Sequence, residues 1–112
     1  MSRKTPEGYV KAAVMEYLAV EGISAYRMNA GSMCGETKGK KWRVQMCEPG
    51  TADILALVGR GRWFMPLWVE CKAPKGKQSE AQREFERKVK AEGQCYVVAY
   101  GIEDVREAIK RI

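Results

Sequence analysis

The hydrophobic positions of this chain change period as it runs. Val10, Ala13, Val14, Tyr17 and Leu18 fall at the three- and four-residue spacing of an amphipathic helix. Thr5-Pro6-Glu7 supplies its start: a hydroxyl N-cap, a proline at the first helical position and an acid in the first turn. Gly22 supplies its stop. Ile23 to Asn29 then reads as a strand, with Arg27 and Asn29 on one face. Ala30 to Gly39 carries three glycines and reads as a flexible connection. Lys41 to Met46 alternates strictly, with Trp42, Val44 and Met46 opposite Lys41, Arg43 and Gln45.

Two apolar runs follow the turn signal Pro49-Gly50. The first is Ile54 to Val58. The second, after the basic turn Gly59-Arg60-Gly61-Arg62, ends in Glu70-Cys71-Lys72. Pro66 lies inside this second run, so regular pairing begins after it, or a bulge or sheet edge lies there. A loop with Lys75 and Lys77 leads to Ser79-x-x-Gln82, a capping box. The helix it opens places Ala81, Phe85 and Val89 on one face and stops at Gly93. Cys95 to Tyr100 is a compact strand, and Ile102 to Ile112 a last helix with Val105, Ala108, Ile109 and Ile112 inward. The predicted order is α-β-(β)-β-β-α-β-α. The final strand is reached through a helical crossover, which suits an α/β fold with a mixed sheet flanked by helices.

With 112 residues the chain is read as a single domain, residues 1–112. Met1 to Glu7 has no apolar core of the kind a secretory signal needs, and no apolar run reaches the length of a membrane span. Both point to a cytoplasmic protein with no membrane partner. The net charge of +6 suggests an anionic partner. Four cysteines occur without a Cys-x-x-Cys pair, which argues against structural zinc and for free thiols. Histidine is absent, and with it Ser-His and Cys-His catalysis and histidine-based metal nucleases.

Candidate chemistry therefore rests on carboxylates and lysine. Glu70 and Lys72 share one face of a strand end, because side chains two apart point the same way. Leu67, Val69 and Cys71 take the other face. Asp53 opens the neighbouring strand and brings a second carboxylate to the same place. Asp53, Glu70 and the Cys71 backbone carbonyl form an all-oxygen set suited to Mg²⁺ or Mn²⁺. Lys72 is placed to orient a water or to neutralise phosphate charge. Lys38, Lys40, Lys41 and Arg43 form a basic strand or flap. With Arg27, Asn29, Arg60, Arg62, Lys75 and Lys77, they are the residues expected to contact phosphate.

These residues resemble the PD-(D/E)xK nuclease superfamily and, more narrowly, its VRR-NUC branch. The resemblance rests on Glu7 at the first helix, Gly50-Thr51-Ala52-Asp53 for the family's Gly-x-Pro-Asp, Glu70-Cys71-Lys72, and Ser79-Glu80-Ala81-Gln82 opening the next helix. Ala52 departs from the usual proline. The resemblance implies a restriction-endonuclease-like core and Mg²⁺- or Mn²⁺-dependent hydrolysis of DNA. Asp53 and Glu70 would be metal ligands, Lys72 the catalytic lysine, Glu7 a further ligand or water-positioning acid, and Gln82 a residue holding the lysine or a phosphate. It further implies a homodimer that acts on branched DNA, such as a Holliday junction or a flap, in a bacterial cell or a phage-infected host, with no small-molecule cofactor. Two readings compete with it: a nucleic-acid-binding module without catalysis, and an assembly protein in which Glu70 and Lys72 are an ordinary ion pair.

Overall fold

A computed structural model describes residues 5–29, 32–45 and 47–112. Among the described residues the fold is mixed α/β with three helices. The elements are α1 (Pro6–Val20), β1 (Ser24–Arg27), β2 (Ser32–Thr37), β3 (Lys40–Gln45), β4 (Ile54–Arg60), β5 (Trp63–Cys71), α2 (Glu80–Ala91), β6 (Cys95–Ala99) and α3 (Ile102–Lys110). Four strands form the main sheet in the order β1-β4-β5-β6. β4 runs antiparallel to both β1 and β5, and β6 lies parallel to β5 across the α2 crossover. A parallel pair needs such a long connection, whereas the β4–β5 hairpin does not.

One face of this sheet carries Ile54, Ala56, Val58, Leu67, Val69, Cys71 and Ala99. They pack with Val14 and Leu18 of α1 and Val105 of α3 in a fully buried cluster. Ala108, Ile109 and Ile112 pack against it, as their spacing predicts. The opposite face carries a smaller cluster in which α2 sets Phe85 and Val89 against Ala52, Trp68 and Tyr96. Ala81, expected on that inward face, is exposed. The first turn of α2 instead meets Gly50 through its backbone: a Cβ on Gly50 would lie 2.2 Å from the Ala81 carbonyl oxygen.

The predicted caps form. The Thr5 hydroxyl accepts from the Gly8 N–H, and Ser79 and Gln82 close a reciprocal capping box. Pro66 is accommodated because β5 is paired on one side only at that point. β4 runs alongside from Trp63, but the register with β6 starts at Leu67.

The connection expected to be flexible is, from Ser32 on, a strand. β2 pairs antiparallel with β3 in a second, two-stranded sheet. Among the described residues there are thus five strands before α2, where the predicted order allows at most four. The turn between them is Lys38-Gly39, with φ of 52° and 78°. Two positive values in a two-residue loop define a type I′ turn, whose twist matches the strands it joins. Ala30, Gly31, Met46 and residues 1–4 lie outside the described residues. Among the described residues, no helix is long and apolar enough to cross a membrane.

Candidate metal centre

Four segments converge at one end of the sheet. The Gly50-Thr51-Ala52 turn delivers Asp53 to the start of β4. The turn is fixed by Thr51, whose N–H and hydroxyl both donate to the Glu48 carbonyl (3.1 and 2.6 Å). The Met28 N–H donates to the Asp53 carbonyl (2.8 Å), extending the β1–β4 pairing. Glu70 and Lys72 arrive from the end of β5, where the Lys72 N–H continues the ladder to Ala99 (2.9 Å). Glu7 comes from the first turn of α1 and Gln82 from the first turn of α2.

Glu7, Asp53 and Glu70 each bring a carboxylate oxygen within 4.8 Å of the others. Glu70 is the most enclosed, with 1% of its surface exposed. Its Oε2 accepts from Gln82 Nε2 (3.2 Å) and lies 3.6 Å from Lys72 Nζ. Its Oε1 is buried without a hydrogen-bond donor. Burial pushes the Glu70 carboxyl up to about 8. The charge of Asp53, a side-chain hydrogen bond to Asp53 and the charge of Glu7 push the same way, and Lys72 opposes them. Two facing carboxylates are both acceptors, so only a proton or a cation satisfies them together. The donor set, all oxygen and missing one positive partner, fits a hard divalent ion.

Asp53 is held from both sides. Its Oδ2 accepts from the Cys71 N–H (2.8 Å), which brings the Cys71 main chain alongside the carboxylates. The Cys71 thiol faces the core, and burial raises it to about 12, so it stays protonated and takes no part. Asp53 Oδ1 lies 3.3 Å from Lys11 Nζ. Sequence reasoning missed Lys11. The available signal was its position four residues after Glu7, which puts both on one face of α1.

Gln82 performs two tasks with one amide. Oε1 accepts from the Ser79 N–H (2.8 Å), which closes the capping box and leaves Nε2 to donate to Glu70. The helix start thereby fixes which end of the amide faces the site.

The expected DNA-binding residues divide by location. Arg27 and Asn29 are exposed at the carboxylate end of β1, and Lys75 and Lys77 are exposed in the loop just after Lys72. Lys38, Lys40, Lys41 and Arg43 are exposed on the β2–β3 hairpin. That hairpin leaves the sheet beside Asp53, where the Cys47 N–H donates to the Asn29 carbonyl (2.7 Å). Arg60 and Arg62 lie at the other end of the β4–β5 hairpin, with Arg60 about 23 Å along the strand from Asp53. Arg60 donates to the Ile109 carbonyl at the end of α3 (2.9 Å), a role in holding the fold. Glu7, Asp53 and Glu70 line neither of two surface cavities. The larger, about 510 Å³, sits among β6, α2 and α3 beside Tyr96, Ala108 and Arg111.

No protein-family profile, curated protein or solved structure matches this chain.

Proposed function

We propose that this chain is a Mg²⁺- or Mn²⁺-dependent DNA endonuclease with a restriction-endonuclease-like core, of the VRR-NUC type that its motifs resemble. The observation that carries the reading is the buried Glu70. It faces Asp53 and Glu7, has one oxygen without a donor, and stands beside Lys72. Asp53, Glu70 and Glu7 would hold the ion, with the Cys71 carbonyl as a further oxygen. A divalent ion bound there supplies a Lewis acid for the scissile phosphate and acidifies water. Gln82 steadies Oε2 of Glu70, and Oε1, which has no donor, would be open to a cation. Lys11 holds Asp53 in place. Lys72, 3.6 Å from Glu70 Oε2, would present an ammonium to the phosphate or the attacking water.

A binding module without catalysis accounts for the net charge of +6 but not for three clustered carboxylates, which would repel phosphate. The substrate and assembly that the resemblance implies, branched DNA and a homodimer, belong to the same proposal. A chain this small has few elements to read bases, so recognition rests on shape and backbone.

The deciding experiment is cleavage of linear, flapped and four-way DNA with Mg²⁺, Mn²⁺ or EDTA, using wild type, Asp53→Asn and Glu70→Gln. Cleavage should need the ion and both carboxylates. Undiminished cutting in EDTA, or by either variant, would end the proposal.

A further inference from the structure

Trp42 is partly exposed on an isolated two-stranded sheet, yet its ring is fixed. It sits opposite Gly35 in the β2–β3 register, and a Cβ on Gly35 would fall 2.5 Å from the indole Cζ2. Only a glycine lets the ring lie flat across the neighbouring strand. The indole N–H is tied down as well, donating to the Thr37 hydroxyl (3.0 Å). One face of the indole is therefore seated on β2, while 39% of the residue stays exposed. An exposed aromatic held in one orientation loses little entropy when a second flat ring stacks on it.

The surroundings are cationic. Lys40 shares the Trp42 face of β3, Lys38 occupies the turn, and Lys41 and Arg43 line the other face. Four basic residues stand against one acid, Glu36, within the hairpin. Its base is closed at Asn29 and Cys47, on the side of the sheet where Asp53 enters. Trp42 lies about 10 Å along β3 from Gln45, where the strand ends on the side of that base. An aromatic platform within a basic track is the chemistry that binds unpaired nucleotides: cations follow the phosphates and the ring stacks a base.

We propose that the β2–β3 hairpin is an arm for a single-stranded stretch of DNA beside the carboxylate site, with Trp42 stacking one unpaired base. This rests on the nuclease reading for its place in catalysis, though the binding it describes stands alone. A duplex offers the hairpin phosphates but no free base face, so Trp42 separates the two kinds of substrate.

The test is carried out in EDTA, so that it is independent of cleavage. A thymidine oligomer and a duplex of equal length are titrated with wild type, Trp42→Ala and Trp42→Phe, with tryptophan emission followed throughout. Wild type should bind the single strand and lose emission. Trp42→Ala should bind it between about 5- and 150-fold more weakly, the loss of one base–aromatic stack, with duplex binding changed less than twofold. Trp42→Phe keeps a ring and should retain most of the affinity, yet lose the quenching even though Trp63 and Trp68 remain. Thermal melts confirm that the variants are folded. Equal loss on both DNAs, no single-strand binding by wild type, or quenching that persists in Trp42→Phe would overturn the arm. Single-strand binding with the predicted quenching, but no metal-dependent cleavage, would keep the arm and remove the nuclease. Cleavage without the quenching would do the reverse.

Discussion

Replacing Glu70 with Gln should make the metal-free protein more stable at pH 8 and leave it little changed at pH 5. The native state keeps a proton on Glu70 that the unfolded chain releases near the ordinary value of 4.5, because burial and the Asp53 charge raise the native value to about 8. Between those values the native state binds more protons than the unfolded one. Its stability then falls as pH rises, by at most ~1.4 kcal/mol per pH unit for one proton. Across three units that limit is ~4 kcal/mol, and relaxation around a buried acid reduces it to about 2 kcal/mol. Glutamine has no proton to lose, and all other titrating groups are common to both proteins. The difference between the two melting curves should therefore open by roughly 8 °C from pH 5 to pH 8 in EDTA. Saturating Mn²⁺ should close it from the wild-type side, since an ion that binds only the native state stabilises it by mass action. Parallel stability profiles over that range would show that Glu70 is ionised in the native state without cost, and the account of the site would fail.

Gly50→Ala should cost about 2–4 kcal/mol in denaturant unfolding, because φ at this position is +86° and the new Cβ meets the Ala81 carbonyl backbone. Gly93→Ala is the control. Its φ is +82° with nothing within 4 Å, so it should lose only ~1 kcal/mol, and a cost equal to that of Gly50→Ala would refute the close-approach argument. Lys72→Ala should fold, bind Mn²⁺ and DNA, and lose cleavage by several orders of magnitude. Lys72→Arg should rescue it poorly, because a planar guanidinium does not replace an ammonium that is 13% exposed; single-turnover assays that found a loss no larger than the unfolded fraction would return Lys72 to a structural role. Replacing Lys38, Lys40, Lys41 and Arg43 together by Gln should flatten the log–log salt dependence of DNA binding by roughly one unit per lost phosphate contact, and an unchanged slope would put the DNA elsewhere.

The parts of the fold that were readable from sequence have local causes. Thr5-Pro6 and Ser79-x-x-Gln82 begin helices by satisfying their own end groups, and the structure places both starts as predicted. Asp53, Glu70 and Glu7 meet because two strand ends and a helix start share one end of the sheet. Period and caps placed those elements, and the resemblance drew attention to Glu7. What was missed depends on partners distant in the chain. Ser32 to Thr37 has no alternating apolar pattern and contains Gly35, so nothing local marks it as a strand. Its pairing comes from β3, and Trp42 covers the glycine. Ala81 sits at the right helical spacing to be inward, but the first turn of α2 meets Gly50 through its backbone, and Gln82, Phe85 and Val89 are the residues that face the fold. Lys11 meets Asp53, forty-two residues away, only once α1 and β4 are packed together.

The double duty of Gln82 restricts what the chain can tolerate there. Glutamate suits a capping box as well as glutamine does, because either offers an oxygen to the N-cap N–H. At position 82, however, glutamate would turn its second oxygen towards Glu70 and add a fourth carboxylate to three already crowded together. Methionine or leucine would leave Glu70 alone but abandon the Ser79 N–H. An amide alone has one atom of each polarity at the two ends of a rigid plane. The requirements of the helix and of the site thus converge on one residue type, though neither alone would demand it.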